Sequence, residues 1–331
     1  MKGLTINYEK CIDCGKCTKH CLFLKKHNIN LKEYANLPEL AYNCYLCGEC
    51  KRVCPVDIDG RQLSLDLREK KIDEGYNLYR RGYGVLLLEK RNYIFKNYKN
   101  VKSKVALFPG CNFPAYYPNT TKIISKKLKE SFGISTIFDC CGKPMADLNM
   151  KKEKEDILDR LNNRLKELGI EELILLCPNC YYYLKTNLDI KISMIYEHEE
   201  IMESLIYKDN SNKIEGLLFL PCPDKDNRLI YKMLEKYIDK NNLQEINDIQ
   251  CCGAGGCASI KEKELTKELQ DGFKTYNRKI FLYCATCAGM ITKSNENVEH
   301  ILCKLLNTNE KISTGISTVK NRALFSIKKQ E

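Results

Sequence analysis

The sequence predicts a multidomain protein in which a small, helical, cysteine-rich N-terminal domain is followed by two tandem α/β domains. Three observations support this fold class. Eight of the 20 cysteines lie in residues 1–60. From Lys104 onward, short β-rich segments alternate with helical segments rich in lysine and glutamate, an order that is typical of α/β folds. The cysteine spacing of the first α/β half then recurs in the second half.

The domain boundaries follow from these changes in composition. We expect a first domain over residues 1–60 and a helical linker without cysteine over 61–103. The two α/β domains are expected over 104–210 and 211–331. A chain of 331 residues is long enough for two or three domains with hydrophobic cores of their own.

The N-terminal cysteines form two runs of the pattern Cys-x2-Cys-x2-Cys-x3-Cys, the second followed by Pro55 and the first by Leu22. This spacing is that of two-cluster ferredoxins, in which three cysteines of one run and the fourth of the other hold each [4Fe–4S] cubane. A zinc site would instead use Cys-x-x-Cys pairs at wider separation. The predicted ligands are Cys11, Cys14, Cys17 and Cys54 for cubane 1, and Cys44, Cys47, Cys50 and Cys21 for cubane 2.

The segment between the two runs, "NINLKEYANLPELAYNC", has helical character, so we expect a helical ferredoxin domain rather than the small β-type. Gly15 and Gly48 would let the backbone approach the cluster sulfides closely. His20, beside Cys21, is either exposed or a hydrogen-bond donor that tunes a cubane.

The two α/β halves repeat one order of elements. Cys111 and Cys140 are 29 positions apart, as are Cys222 and Cys251, and each half closes with Cys-x-x-Cys. Ligands of open α/β sheets collect at the C-terminal ends of the strands, so ten cysteines are expected there as two groups of five. The predicted strands are "KVALFPGC", "ISTIFDCC", "EELILLCPNC", "EGLLFLPC" and "KIFLYCATC". The predicted helices are "NTTKIISKKLKESFG" with an Asn or Thr cap, "EKEDILDRLNNRLKELG", "NRLIYKMLEKYI" and "ELTKELQDGFKTYN".

Each group of five contains two adjacent cysteines followed by Gly142 or Gly253. Neighbouring Cα atoms lie about 3.8 Å apart, whereas an unstrained disulfide needs roughly 4.4–6.8 Å, so neither pair is expected to bridge itself. Five thiols exceed the four ligands of zinc and the four corners of a cubane. Adjacent side chains near a strand end diverge, so they would reach different irons of a larger inorganic core, and the glycines would leave room for it.

With these motifs the sequence resembles the CCG-domain proteins over nearly its whole length. The resemblance rests on the ferredoxin run, on two copies of Cys…CCG…CxxC, and on the segments "FPGC", "CPNC" and "CCGAGG". This family includes the B and D subunits of heterodisulfide reductase and the iron–sulfur subunits of anaerobic glycerol-3-phosphate dehydrogenase and glycolate oxidase. The resemblance implies that each cysteine group holds a non-cubane four-iron cluster and that the pair of clusters splits a disulfide. The implied ligands, which are also the predicted catalytic residues, are Cys111, Cys140, Cys141, Cys177 and Cys180 (CCG site 1), and Cys222, Cys251, Cys252, Cys284 and Cys287 (CCG site 2).

Two functions are compatible with this arrangement. In the first, an iron–sulfur oxidoreductase subunit passes electrons from two cubanes to the CCG-motif clusters and reduces a disulfide or heterodisulfide. In the alternative, the chain is the electron-relay subunit of a flavoprotein dehydrogenase of the glycerol-3-phosphate, glycolate or lactate type. The sequence has no G-x-G-x-x-G fingerprint and no P-loop, so we expect no flavin or NAD in this chain. A flavoprotein or other redox subunit and a low-potential donor such as ferredoxin are the expected partners.

Composition excludes other classes. The formal charge of +11 counts cysteines as neutral, whereas cluster ligands are thiolates, and the lysines are spread along the chain, so we expect no nucleic-acid partner. The N-terminus has no apolar signal region, and apolar runs such as "GVLLLE" are too short to span a bilayer. We therefore expect a cytoplasmic protein that meets a membrane only through a partner and uses its cysteines for metal rather than disulfides.

Five further side chains leave alternatives open. Cys257 is a sixth thiolate, a redox-active thiol or, as we favour, buried packing, and Cys303 is expected in the core. His198 and His300 would hydrogen-bond a cluster sulfide, supply a proton to a leaving thiolate or, as we favour, take a structural role. Lys143 either offsets cluster charge, binds an anionic substrate or is solvated.

Overall fold

A computed structural model of the chain describes residues 5–207 and 214–327. The chain divides into two compact units that do not follow the order of the sequence. The first unit comprises Met1–Arg91, Pro144–Lys154 and Asn247–Thr275, and the second comprises Asn92–Lys143, Glu155–Ile246 and Tyr276–Glu331. The expected boundary between residues 210 and 211 lies outside the described residues, and the other expected boundaries stay predictions.

The first unit begins with short helices and has no β-strand within residues 5–60. Gly15 and Gly48 occupy the N-caps of two of these helices with φ of 68° and 81°, a left-handed conformation that favours glycine. Each glycine follows the second cysteine of a run, so the third cysteine enters the first turn of a helix. The helices are α1 (Lys16–His20), α2 (Leu22–His27), α3 (Leu31–Tyr34) and α4 (Glu49–Arg52).

Two longer helices follow, α5 (Gly60–Asp73) and α6 (Gly84–Lys90). The Asp59 side chain caps α5 by accepting hydrogen bonds from the first backbone N–H groups of the helix. Leu63 and Leu67 are buried along one face of α5. The cysteine-free stretch expected to be helical is therefore helical as far as Lys90.

Arg68 of α5 is fully buried and donates hydrogen bonds to four backbone carbonyl groups. The acceptors are the oxygens of Ala41, Cys44, Asp147 and Gly256, at 2.9, 2.8, 2.5 and 2.9 Å. The Tyr42 ring lies 5.0 Å from the Arg68 Cζ atom, in cation–π geometry. Because these acceptors come from all three segments of the first unit, one side chain joins them.

The described residues of the second unit form two parallel sheets. The strands are β1 (Val105–Phe108), β2 (Ser135–Thr136), β3 (Glu172–Leu175), β4 (Lys191–Met194), β5 (Gly216–Leu218), β6 (Leu243–Glu245), β7 (Ile280–Leu282) and β8 (Val298–His300). One sheet has the order β2-β1-β3-β4 and the other β6-β5-β7-β8. The order is the same in both, so the repeat in cysteine spacing corresponds to a repeat in topology.

Helices surround these strands, which carry fully buried side chains such as Phe108, Ile174 and Leu282. No described helix combines the length and the apolar character needed to cross a membrane. The remaining helices are α7 (Phe113–Tyr116), α8 (Pro118–Phe132), α9 (Lys143–Asp147), α10 (Lys151–Glu167), α11 (Pro178–Leu184), α12 (Glu199–Leu205), α13 (Leu229–Leu234), α14 (Lys263–Asp271), α15 (Ala285–Ile291), α16 (Ile301–Leu305) and α17 (Ile316–Ile327).

The predicted cap of α8 was wrong. The helix begins at Pro118 without a side-chain cap from its own N-terminal residues. Instead, the Glu310 carboxylate accepts hydrogen bonds from the backbone N–H groups of Asn119 and Thr120, at 2.8 and 2.7 Å. A cap that comes from 190 positions away leaves no local signal in the sequence. Gly133 ends α8 in the left-handed conformation, as predicted.

Replacement of Arg68 by methionine is expected to destabilise the first unit. The variant would leave four buried carbonyl oxygens without their donor, and each unsatisfied group costs about 1–3 kcal/mol, so we expect a loss of roughly 3 kcal/mol or more. Thermal unfolding without oxygen measures the effect as a fall in the midpoint temperature. Arg164→Met, which removes a half-exposed ion pair with Glu167, is the control and is expected to change little. An equal effect of both substitutions would contradict this account.

Candidate metal centres

One cavity of the first unit is lined by all four cysteines predicted to hold cubane 1, which are Cys11, Cys14, Cys17 and Cys54. The other walls include the apolar side chains of Leu31, Val56 and Ile58. The backbone N–H of Ile58 points at the Cys54 Sγ atom at 3.3 Å. The cavity therefore offers sulfur ligands, one backbone donor to sulfur and apolar walls. Among the described residues, no three or more His, Cys, Asp or Glu side chains converge on a single metal ion. An iron–sulfur cubane does not require such convergence, because its four cysteines bind four different irons.

The four cysteines predicted to hold cubane 2 are buried in the same unit, and these are Cys21, Cys44, Cys47 and Cys50. Burial raises the pKa of Cys21, and the neighbouring charges of Cys47 and Cys44 raise it further. Burial and the same group of thiols also raise the pKa of Cys50. The four thiols therefore act on one another electrostatically. Thiols in such a setting lose their protons when metal supplies the compensating charge.

Three features beside this second set were not predicted from the sequence. A Cβ atom added at Gly60 would lie 2.4 Å from the Cys50 Sγ atom, so this position has no room for a side chain. The Arg68 guanidinium lowers the pKa of Cys44, against the larger effect of burial, which raises it. The backbone N–H of Leu46 donates to the Cys44 Sγ atom at 3.4 Å.

The five cysteines of CCG site 1 lie together in the second unit. Hydrogen bonds from the thiols of Cys140 and Cys180 lower the pKa of Cys141 to about 5, although burial opposes them. The charges of Cys111 and Cys177 act on the same thiol and raise its pKa. All four other members of the set therefore interact with Cys141.

The strands and helices of the first sheet position this set. Cys111 follows β1, and Cys177 follows β3 as the N-cap of α11. The adjacent pair lies in a loop, because β2 ends at Thr136 and the strand predicted to run into the pair stops there. Gly110 has φ 74°, and a Cβ atom there would lie 3.1 Å from the Cys180 Sγ atom, which makes it a further site residue that was not predicted.

Asp139 binds the backbone of the adjacent pair of CCG site 1. Its fully buried carboxylate accepts the backbone N–H of Cys140 at 2.7 Å and the Tyr98 hydroxyl at 2.6 Å. Burial raises the pKa of Asp139. An Arg160 nitrogen lies 3.8 Å from the carboxylate and partly compensates its charge. This residue was not predicted from the sequence.

The glycines after the two adjacent pairs pack against helices. Gly142 and Gly253 adopt φ of 84° and 81°. A Cβ atom would lie 2.8 Å from Cγ2 of Ile157 on α10 in the first case and 3.1 Å from Cγ2 of Thr266 on α14 in the second. Their missing side chains thus permit a left-handed turn against a helix, and their role beside a cofactor stays a prediction.

The five cysteines of CCG site 2 are divided between the units. Cys251 and Cys252 belong to the first unit, and the second unit contains Cys222, Cys284 and Cys287. In the second unit, a hydrogen bond from the Cys287 thiol lowers the pKa of Cys284 to about 7 despite burial.

Within the second unit, the loops of the two CCG motifs touch. The Asn179 side-chain amide, between Cys177 and Cys180, donates to the Cys284 Sγ atom at 3.8 Å. Asn112, which follows Cys111, donates to the Thr286 hydroxyl at 2.8 Å. Polar side chains of the first motif therefore reach the Cys-x-x-Cys segment of the second.

The structure also places the side chains that the sequence left open. Cys303 is buried in α16, as predicted. Cys257 is half-buried rather than buried and has φ 55°, so the expected core packing was wrong. His20 is exposed, and Lys143 is half-buried at the start of α9.

Both histidines that follow the Cys-x-x-Cys motifs have structural partners. His198 lies 2.8 Å from the Ser193 hydroxyl and 3.3 Å from a Glu172 oxygen, and burial lowers its pKa. His300 is fully buried against the rings of Phe113 and Tyr117. Its Nδ1 atom accepts the backbone N–H of Leu302 and caps α16, and burial lowers its pKa to about 3. The structural interpretation agrees with these partners.

Comparison with known protein families gives two matches. The cysteine-rich domain CCG matches residues 105–185 and 217–292, and the 4Fe-4S dicluster domain matches residues 9–58. At TM-scores of 0.32 and 0.34, similarities to an aspartate racemase of Picrophilus torridus and a glutamate racemase of Campylobacter jejuni bear neither on fold nor on function. They cover 67% and 68% of this chain and 100% and 99% of the racemases, at 12% and 14% identity.

Three sequence relatives come from methanogens. An iron–sulfur protein of Methanococcus maripaludis is 27% identical over 78% of this chain and 61% of its own length. One of Methanocaldococcus jannaschii is 25% identical over 74% of this chain and 58% of its own length. The B subunit of fumarate reductase (CoM/CoB) from Methanothermobacter marburgensis is 22% identical over 78% of this chain and 61% of its own length. The chain thus spans less than two thirds of each relative.

The expected succession of a ferredoxin-like domain and two CCG domains is confirmed by these matches. Both cysteine runs fall in the dicluster match, and the ten repeated cysteines fall in the CCG matches. The chain belongs to the CCG-domain iron–sulfur proteins.

Proposed function

We propose that this chain is an iron–sulfur electron-transfer subunit whose CCG motifs carry out disulfide reduction. The observation that carries the proposal is the group of five thiols around Cys141, which exceeds the needs of zinc or of a cubane. The similarity to the B subunit of a fumarate reductase (CoM/CoB) supports a role in a reductase of several subunits and is consistent with heterodisulfide-type chemistry.

The residues of the first unit fit two cubane clusters. Both sets offer four thiols and a backbone N–H group directed at a sulfur, and in the second set Gly60 stands where a side chain would displace the Cys50 sulfur. Bound clusters would supply one-electron transfer at low potential. The proposed ligands are Cys11, Cys14, Cys17 and Cys54 for cubane 1, and Cys21, Cys44, Cys47 and Cys50 for cubane 2.

The proposed ligands of the CCG sites are the two groups of five named above. Reduction of a disulfide breaks one S–S bond, consumes two electrons and two protons, and releases two thiols. A low-potential donor protein would supply the electrons, and a redox partner subunit would connect the chain to its donor. This chain would contribute five cysteine sulfur ligands in each CCG motif to hold the cluster at which the disulfide reacts.

Iron and acid-labile sulfide per chain test the cluster content. Protein isolated without oxygen is expected to contain about 16 irons, from four four-iron clusters. Cys141→Ser is expected to contain about 12, because it removes the thiol on which CCG site 1 converges. Cys303→Ser changes a buried cysteine outside every proposed set and is expected to keep the wild-type content. About eight irons in the wild-type protein would mean that neither CCG motif binds a cluster.

The tight approach of Gly60 to Cys50 gives a second test. Gly60→Ala would place a Cβ atom 2.4 Å from the Cys50 sulfur, so we expect loss of about four irons and of one cubane signal in the electron paramagnetic resonance (EPR) spectrum of reduced protein. Gly84→Ala is the matched control, since Gly84 also begins a helix and its nearest neighbour is at an ordinary 3.6 Å. Normal iron content and EPR spectra in Gly60→Ala would argue against Cys50 as a ligand.

Disulfide chemistry is tested by turnover without oxygen. With a reduced viologen dye as donor, the protein is expected to convert a mixed disulfide of two small thiols into free thiols, at two electrons per disulfide. Cys141→Ser is expected to lower the rate at least tenfold, whereas Cys303→Ser leaves it unchanged. Dye-reduced clusters that never pass electrons to any disulfide would favour the alternative, a relay subunit of a flavoprotein dehydrogenase.

A further inference from the structure

The residue before each adjacent cysteine pair is polar and buried. In the first motif this residue is Asp139, which binds the backbone N–H of Cys140. In the second it is Gln250, which is only 6% exposed and lies in the first unit. The two halves of the repeat therefore differ at this position, and the second half uses a neutral amide that can donate as well as accept.

The Gln250 side chain reaches the proposed ligands of cubane 2. Its Oε1 atom accepts the backbone N–H of Leu22, which follows Cys21, at 2.6 Å. Its Nε2 atom is 3.7 Å from the Cys47 Sγ atom and donates to it. Because the oxygen is fixed by a backbone donor, the amide can present only its NH2 group to the sulfur. One amide thus contacts Cys47 and the residue after Cys21, and it adjoins Cys251 along the chain.

The rest of the "CCGAGG" loop packs on the same region. Cβ atoms at Gly255 and Gly256 would lie 2.2 Å from the carbonyl oxygen of Tyr45 and 2.5 Å from that of Cys44. Arg68 donates to the carbonyl groups of both Cys44 and Gly256. Two glycines and one guanidinium therefore fix the loop against the run that carries Cys44 and Cys47, which leaves Gln250 little freedom to turn away.

We propose that Gln250 is a positioning residue that raises the reduction potential of cubane 2 and fixes this cluster next to the adjacent pair Cys251–Cys252. The inference rests on the proposed function, because it requires a cluster at the second cysteine set. A hydrogen bond to a ligand sulfur withdraws negative charge from it and favours the reduced, more negative state of the cluster. The same amide spans from the Cys47 sulfur to the backbone beside Cys251, so within the first unit it also sets the distance between cubane 2 and the adjacent pair.

The test is an EPR-monitored redox titration of two Gln250 variants. Gln250→Met keeps the approximate volume and removes the donor. Gln250→Glu keeps an acceptor for the Leu22 N–H and replaces the amide donor by a carboxyl oxygen. Because burial can raise a glutamate pKa to about 8–9, the titration is run above that range, at about pH 9.5, where the oxygen belongs to a carboxylate. In both we expect one of the two cubane signals to become at least tenfold harder to reduce, about 59 mV for one electron, with the larger shift in Gln250→Glu. The other signal and the iron content should stay unchanged.

Gln244→Leu is the control, since Gln244 is exposed and its amide oxygen accepts a hydrogen bond from Arg278. Unchanged potentials in both Gln250 variants, or equal shifts of both cubane signals, would overturn the inference while leaving the proposed function intact. Wild-type protein without iron or cubane signals would instead overturn the proposed function, and the inference with it.

Discussion

A buried guanidinium group holds the first unit together. Arg68 donates to four carbonyl oxygens that come from three separate stretches of chain. An arginine suits this role because its planar fork presents five donors in fixed directions. Its charge also lies beside a set of thiols that become anionic when they bind metal. Mechanical support and charge compensation therefore reside in one side chain.

Close approach of backbone to sulfur is the second constraint. Gly60 and Gly110 stand where a Cβ atom would meet a cysteine sulfur at 2.4 and 3.1 Å, and Gly60 lies outside both N-terminal cysteine runs. Asp139 and Gln250 immediately precede the adjacent pairs. Asp139 accepts a backbone N–H, and Gln250 donates to a sulfur. The cysteines are thus held by neighbours that carry no metal-binding signature themselves.

The cysteine pattern was a better guide to the architecture than the patterns expected of strands and helices. Spacing indicated the two runs, the repeat and the family, because cluster ligands must recur at set intervals along a chain. Short strands such as β4 and β8 were missed, since three or four residues give too little periodicity to detect. The cap of α8 was mistaken because its carboxylate, Glu310, is far away in the sequence. Cys257 was expected to be buried, and it is half-buried at a position with left-handed backbone conformation.

By itself the sequence determined the number and spacing of the cysteines, the order of the domains and the twofold repeat, because these depend on residue identity and spacing alone. The tertiary structure decided which side chains, distant in the sequence, contact the cysteines. Gln250 is one polar residue among many until the fold brings its amide to the Cys47 sulfur, 203 positions away. In the sequence Arg68 is likewise one charged residue of a helix, and only the fold shows that its side chain is buried. Contacts across such separations arise from packing, and no local pattern records them.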